Sequence, residues 1–471
     1  MAASLLAEGP YELTNVPNIT DVAVMAELLA AMGVAWHRPD GDHSRLVLDV
    51  PGDLRPEAPY ELAEQIRASI NVLGPLLARF GRAVVALPGG DNFGTRPVDM
   101  HLRGLEAMGA TCELRHGDLT AEAPDGLVGA NITLDFPSVG ATENIVMAAV
   151  TAKGTTVLDN AAREPEIVDL FQFLVEMGAR IEGIGSPVVT VHGVPPTDLH
   201  SASHRVVPDR IESATFLAMV GVVGGEVFVR DARVAHLEMF ARKLREMGMS
   251  ITDAGDGIWA SSSGRLQSVD VATLPHPGVA TDTKPVLTAM LSVADGVGIL
   301  TENLFAGRFR YVAELQRLGA DIRTDAHHAV VRGVERLSGA PVRAHDIRAG
   351  AALVVAALAA EGETTISDAH HLERGYGDLV DKLRAPSGST PKPTDRRRGR
   401  LLRGWCRSLP SGGQGLKYVG GGPAAGGGVT CSDSTAHEVA HGSSTPFGRT
   451  NPKSSVRSFA PGGPVVTSIT A

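Results

Sequence analysis

Five glycines set the architecture of this 471-residue chain. Each closes a helix-like segment at a Met-Gly or Leu-Gly turn: ELLAAMGVAWH, GLEAMGATCEL, FLVEMGARIEG, KLREMGMSITD and ELQRLGADIRT, with turns at Gly33, Gly109, Gly178, Gly248 and Gly319. The turns lie 76, 69, 70 and 71 residues apart. A constant period of this size marks one supersecondary unit used repeatedly. Each copy reads as an amphipathic helix, a glycine C-cap and an alternating strand. A second glycine opens a strand ahead of each helix, at Gly9, Gly81, Gly154, Gly225, Gly298 and Gly362. The count is therefore six openings and five closings. The sixth copy runs from GDLVDKLRA into PSGSTPKP where its turn is due, and the first starts inside a helix pattern with no strand before it.

Units of this kind bury their apolar faces only against one another, which predicts an α+β protein of two domains with three strand/helix units each, the first and last units incomplete. The boundaries fall at 1–206 and 207–385, with HSASHRVVPDR (200–210) as the linker and the site expected in the cleft between the domains. Beyond 385 the composition changes. Residues 386–471 hold 16 of the 54 glycines, and 11 Lys+Arg against 3 Asp+Glu, in stretches such as RRRGR and GGGPAAGGG without a period of 3.6 or 2. We read this tail as disordered and as the product of a shifted reading frame.

The body, at 32 basic against 50 acidic side chains, lacks the basic face that a nucleic-acid partner requires. A basic tail is also what a nucleic-acid arm looks like, a weaker reading here. MAASLLAEGP has no basic n-region and no apolar run reaches the roughly 18 residues of a membrane span, so a cytoplasmic protein without a membrane partner is expected. Cys112, Cys406 and Cys431 lack the spacing of a disulfide framework or a metal site, and neither metal nor cofactor is expected.

Chemistry concentrates in PGGDNFGTRPVDM, residues 88–100, where an apolar strand runs into a glycine-rich loop holding Asp91 and Arg96. Asp91 can carry a proton and Arg96 offers a planar fork for a phosphate or carboxylate. Taken singly, Asp91 is also an ordinary turn residue, Asp209 and Asp282 good helix N-caps, and Arg67, Arg308, Arg348 and Arg374 ordinary solvated or ion-paired arginines. Position in the repeat changes the weighting. Arg96, Arg308 and Arg374 all stand between the opening strand and the helix of their unit, so related loops can present several guanidinium groups to one cleft. Two separate carboxylates beside such a cluster suit acid/base chemistry on a phosphorylated substrate. No GxxxxGK[ST] or convincing GxGxxG supports a kinase or dinucleotide reading.

The segments RASINVLGPLLARFG, LPGGDNFGTRPVD, NAAREPEIVD, VPDRIE, PHPGVATD and ERGY resemble those of the UDP-N-acetylglucosamine 1-carboxyvinyltransferases, enolpyruvyl transferases of peptidoglycan synthesis and cell-wall formation, over residues 1 to about 385. The resemblance implies the six-unit inverse α/β barrel of that family. It also implies transfer of the enolpyruvyl group of phosphoenolpyruvate to the 3'-hydroxyl of UDP-N-acetylglucosamine, with phosphate release. On it, Asp91 is the general acid that protonates the methylene carbon, in place of the cysteine that fosfomycin alkylates in many members. Asp282 is the base facing the sugar hydroxyl, and Arg374 acts in the phosphate and carboxylate clamp with Arg96. The substrate site is expected to include Arg67, Arg96, Pro97, Val98, Asp99, Asp282, Leu304, Arg308 and Arg348. An acid that delivers its proton at neutral pH must have that proton held by burial or by a neighbouring anion, for which the substrate phosphate is a candidate. Family members also carry, ahead of the position matching Met1, an SGAKNA segment whose lysine and asparagine contact phosphoenolpyruvate, and we expect the natural start upstream of Met1. Two alternatives stand beside this reading: a degenerate, non-catalytic UDP-sugar binder with the tail as its interaction arm, and a shikimate-pathway enolpyruvyl transferase.

Overall fold

The five turn glycines do what their spacing implies. All sit in the left-handed region, with φ between 94° and 113°, and each follows an outer helix: Thr20–Met32, Asp99–Ala107, Pro165–Glu176, Glu238–Glu246 and Val312–Arg317. In every copy the N–H after the glycine reaches back five residues, Val34 to Leu29, Ala110 to Leu105, Ala179 to Leu174, Met249 to Leu244 and Ala320 to Leu315, at 2.9 to 3.2 Å. This is the Schellman closure, which satisfies a helix-end carbonyl and aims the chain into the next strand. The computed structural model describes residues 1–91, 97–305 and 307–384, together with the backbone of Lys453–Arg457 and Val465–Thr470.

Among the described residues five sheets repeat one topology, a central strand with a parallel neighbour on one side and an antiparallel hairpin on the other, and in a sixth Glu363–Ser367 has Pro341–Arg343 parallel and the single strand Lys453–Arg457 antiparallel. In the second unit Arg82–Ala86 lies between Glu57–Ala58, parallel, and Asp118–Glu122, antiparallel, with Thr111–Arg115 outermost. Among the described residues no sheet closes on itself. Strands such as His328–Arg332 alternate exposed and buried residues, so each sheet keeps one wet face. The inner faces cover helices that are apolar all round. Arg210–Val223, Lys284–Val293 and Ile347–Ala359 pack on one another in one half, and Leu73–Phe80 and Val139–Ala149 pack with the turn Ala2–Leu6 in the other. Buried apolar side chains accordingly form two clusters, one from residues 2 to 199 and one from 214 to 379.

Several details correct the reading from sequence. The strand opening of unit five turns at Gly296 (φ 103°), whereas Gly298 lies inside Val297–Thr301; two glycines two residues apart are equivalent to a pattern search. The expected linker contains a strand, Ser203–Arg205, which runs parallel to Gly9–Thr14 and gives the first unit a four-stranded sheet. In the region read as a disordered tail, Val465–Thr470 pairs parallel with Gly225–Arg230 and Lys453–Arg457 pairs antiparallel with Glu363–Ser367. VVTSIT is rich in β-branched residues, and an open sheet edge offers such a segment its backbone hydrogen bonds.

Candidate functional site

The loop between central strand and outer helix occurs six times. In four copies it begins with a left-handed Asn or Asp: Asn15 (φ 58°), Asn160 (58°), Asp231 (62°) and Asp368 (55°). Short polar side chains tolerate that conformation and bond locally; Asn15 Nδ2 and Asn160 Nδ2 donate to the carbonyls of Val206 and Leu134. Units two and five depart from this rule, and they hold most of the residues expected to act.

In unit two the chain leaves Arg82–Ala86 and lies down on the turn at 63–67, with Gly89 N–H on the Ala63 carbonyl and Gly90 N–H on the Glu64 carbonyl, both at 3.3 Å. A Cβ on Gly89 would fall 1.6 Å from the Glu64 carbonyl oxygen. One on Gly90 (φ 90°) would fall 2.9 Å from the Arg67 nitrogen. Only glycine permits this approach. Asp91 follows, with its side chain largely buried against Arg374. Residues 92–96, and with them the expected clamp residue Arg96, lie outside the described residues. Arg67 opens the turn Arg67–Val72 and its Nη2 donates to the Pro97 carbonyl at 3.4 Å, so it ties the far end of the loop to the near one. Val98 precedes the helix Asp99–Ala107, and Asp99 pairs with the surface residue Arg103 at 2.8 Å.

Arg374, from unit six, crosses to the other half of the molecule. Its Nη1 lies 2.5 Å from Asp91 Oδ1, while Nε and Nη2 grip Asp21 Oδ1 and Oδ2 at 2.8 and 3.2 Å. Burial weighs against a charged guanidinium there, and the two carboxylates outweigh it, raising Arg374 above its ordinary value. Asp21 is raised because burial outweighs the pull of Arg374.

Asp282 was read as an N-cap as well as a base. It does not cap: the helix Lys284–Val293 begins after Thr283, with no side chain on its first amides. Instead Arg308 Nη2 lies 2.5 Å from Asp282 Oδ1 and Arg348 Nε 3.7 Å from it. Burial pushes this carboxyl upward, but Arg308 and Arg348 override it and hold Asp282 well below the usual carboxylate range. Arg348 is set in turn by the Tyr376 hydroxyl at 3.3 Å, which pairs with Thr215 Oγ1 at 2.9 Å. Asp209 and Asp346 do cap, each accepting two backbone N–H bonds at the starts of Arg210–Val223 and Ile347–Ala359. Leu304 is held through its backbone N–H, bonded to Glu302 at 2.8 Å. Arg348 favours the ionised form of both Asp282 and Asp21.

Sequence reasoning missed Asp21, Tyr376 and the buried pair Lys284–Glu302. Asp21 had a usable signal, since it follows the unit-one loop at the same place in the repeat as the other site residues. Lys284, beside a helix-start proline, had none.

The whole body of the chain, residues 1–383, matches the model of the EPSP synthase (3-phosphoshikimate 1-carboxyvinyltransferase) family. A UDP-N-acetylglucosamine 1-carboxyvinyltransferase of Nocardia farcinica is 50% identical over 391 residues, covering 82% of this chain and 91% of that protein. One from Anaeromyxobacter dehalogenans is 48% identical over 83% of this chain and 92% of its own length. Among solved structures, the enolpyruvyl transferase NikO from Streptomyces tendae superposes with a TM-score of 0.72 at 28% identity, over 81% of this chain and 89% of that one. EPSP synthase from Acinetobacter baumannii, at 19% identity and a TM-score of 0.60 over 81% and 91%, shares the fold. With a family model matched over residues 1–383 and relatives of this similarity, the chain belongs to the EPSP synthase family of carboxyvinyl (enolpyruvyl) transferases.

Proposed function

We propose that this protein transfers the enolpyruvyl group of phosphoenolpyruvate to the 3'-hydroxyl of UDP-N-acetylglucosamine, releasing phosphate, in the cytoplasm and as the entry to peptidoglycan synthesis. The observation that carries the reading is the pair of carboxylates, Asp91 and Asp282, borne by different cores and each engaged by arginine. Such a pair allows one proton to be given at carbon while another is taken at oxygen.

In this reading the substrate phosphate and carboxylate take up the guanidinium of Arg374, with Arg96 as the other arm of the clamp. Asp91, released from Arg374, delivers a proton to the methylene carbon. Asp282, held anionic by Arg308 and Arg348, accepts the proton of the sugar hydroxyl as its oxygen bonds to the substrate C2. The tetrahedral adduct then returns a methyl proton to Asp91, the C–O bond to phosphate breaks as the proton held by Asp282 passes to the departing phosphate, and the enol ether is re-formed, which restores both carboxyl groups. Arg67, Pro97, Val98, Asp99, Leu304, Arg308 and Arg348 surround the nucleotide sugar.

Phosphate release from phosphoenolpyruvate is the test, with UDP-N-acetylglucosamine or shikimate 3-phosphate as acceptor. Turnover with the first, lost in Asp91→Asn and Asp282→Asn, is expected. Binding without turnover, or turnover with shikimate 3-phosphate alone, contradicts the reading. Fosfomycin is expected to leave the activity intact after prolonged incubation, because a carboxylate stands where its thiol target would be; time-dependent inactivation would contradict the role of Asp91.

A further inference from the structure

Beneath Asp282 lies an ion pair that the reaction described above does not use. Lys284 and Glu302 are both 0% exposed at the side chain, with Nζ 2.8 Å from Oε2. Most of the pair's other hydrogen bonds go to two loops. Lys284 Nζ donates to the Arg308 carbonyl at 2.6 Å and stands 3.8 Å over the Phe309 ring. Glu302 Oε2 accepts from Thr281 Oγ1 at 2.7 Å, and Oε1 accepts from Thr273 Oγ1 and from the backbone N–H groups of Leu304 and Phe305 at 2.8, 2.8 and 3.2 Å. Thr281 Oγ1 also accepts from Arg308 Nη1 at 3.1 Å. The turn 281–284 is thus bolted to residues 302–305 and to Arg308 on either side of the Arg308–Asp282 contact.

A buried ion pair adds little net stability over an apolar pair of the same volume, because removing two charges from water offsets their attraction. What it supplies is geometry: the directions of a carboxylate and an ammonium are fixed by their hydrogen bonds. We propose that Lys284 and Glu302 are positioning residues for Asp282, holding Arg308 and Thr281 so that the carboxylate faces the cleft in one orientation. This rests on Asp282 being the proton acceptor.

The test replaces both partners at once, Lys284→Met with Glu302→Gln, so that no lone charge is left buried. Thr281→Val is the milder second variant, which cuts the Arg308–Thr281–Glu302 link and leaves the ion pair in place. The deciding readout is the titration of the Asp282 carboxyl in full-length protein labelled at aspartate with carbon-13, the signal assigned by its loss in Asp282→Asn. In the parent Asp282 stays ionised well below the ordinary range. In either variant its midpoint is expected to rise toward about 3.9, and kcat to fall by up to about 10²-fold with a smaller change in KM. A folded variant whose Asp282 titrates as in the parent overturns the proposal, and if the double variant fails to fold, Thr281→Val decides by the same readout. The two readings fail separately. Full turnover in Asp282→Asn removes its role as base but leaves the titration test standing, whereas an inactive Asp282→Asn with unmoved titration in the variants removes the positioning alone.

Discussion

Single side chains here are tuned by burial set against neighbouring charge, and pH reads that balance. His101 is buried against Asn144, whose Nδ2 lies 3.0 Å from its Nδ1, and burial together with Arg67 lowers it to about 4. A histidine whose pKa is lower folded than unfolded binds fewer protons in the native state, so stability is full above about 6.5 and declines as pH falls from there toward 4. We expect His101→Gln to flatten the dependence of Tm on pH over that window; an unchanged slope would contradict the assignment. Glu143 runs the opposite way. Burial raises it to about 7, so its contribution is full below its unfolded value and declines as pH rises toward 7. Glu143→Gln is therefore expected to stabilise the protein at pH 8 relative to the parent, which thermal unfolding at pH 5 and pH 8 checks.

At the level of elements, the legible part was whatever the backbone enforces periodically. Gly33, Gly109, Gly178, Gly248 and Gly319 are spaced by the unit itself, and the left-handed turn each provides leaves a mark that any residue with a Cβ would erase. Replacing Gly319 with alanine, at φ 95° and with open space around it, is expected to cost about 1–2 kcal/mol through the backbone alone, measured by denaturant unfolding. Gly89→Ala is different in kind, because the added methyl meets the Glu64 carbonyl and must displace the loop. Its expected signature is lost turnover with a normal unfolding curve, and parent-like turnover would show that the loop needs no such fit. Candidate residues on these loops were legible and lie together in the structure, as with Asp91 and Arg374. It was illegible where partners come from distant copies of the unit. Nothing near Asp91 in sequence announces Asp21, which belongs to another copy of the unit. The pairing strand Ser203–Arg205 was missed for a related reason: three residues are too few to show a period, and only the open side of Gly9–Thr14 gives them a place.

On the scale of the whole molecule, several arginines link the two cores. Besides Arg374, Arg210 forks onto Glu166 at 2.8 and 3.0 Å, Arg205 reaches Asp231 at 3.3 Å, and Arg163 Nη2 donates to the His276 carbonyl at 3.2 Å. Contacts of this type are exchanged readily for a charged ligand, as a cleft that must admit and release substrates requires. In solution scattering, Asp21→Asn combined with Glu166→Gln is expected to enlarge the radius of gyration of the free protein, and UDP-N-acetylglucosamine to reduce it again. A double variant as compact as the parent would show that these pairs do not hold the cores together. The central claim remains that Asp91 and Asp282 divide the proton work between them. Its most direct measurement is solvent exchange at the methylene carbon of phosphoenolpyruvate, followed in deuterium oxide with UDP-N-acetylglucosamine present. Deuterium incorporation and phosphate release by the parent, both abolished in Asp91→Asn, are predicted, and incorporation that survives in Asp91→Asn would contradict the account.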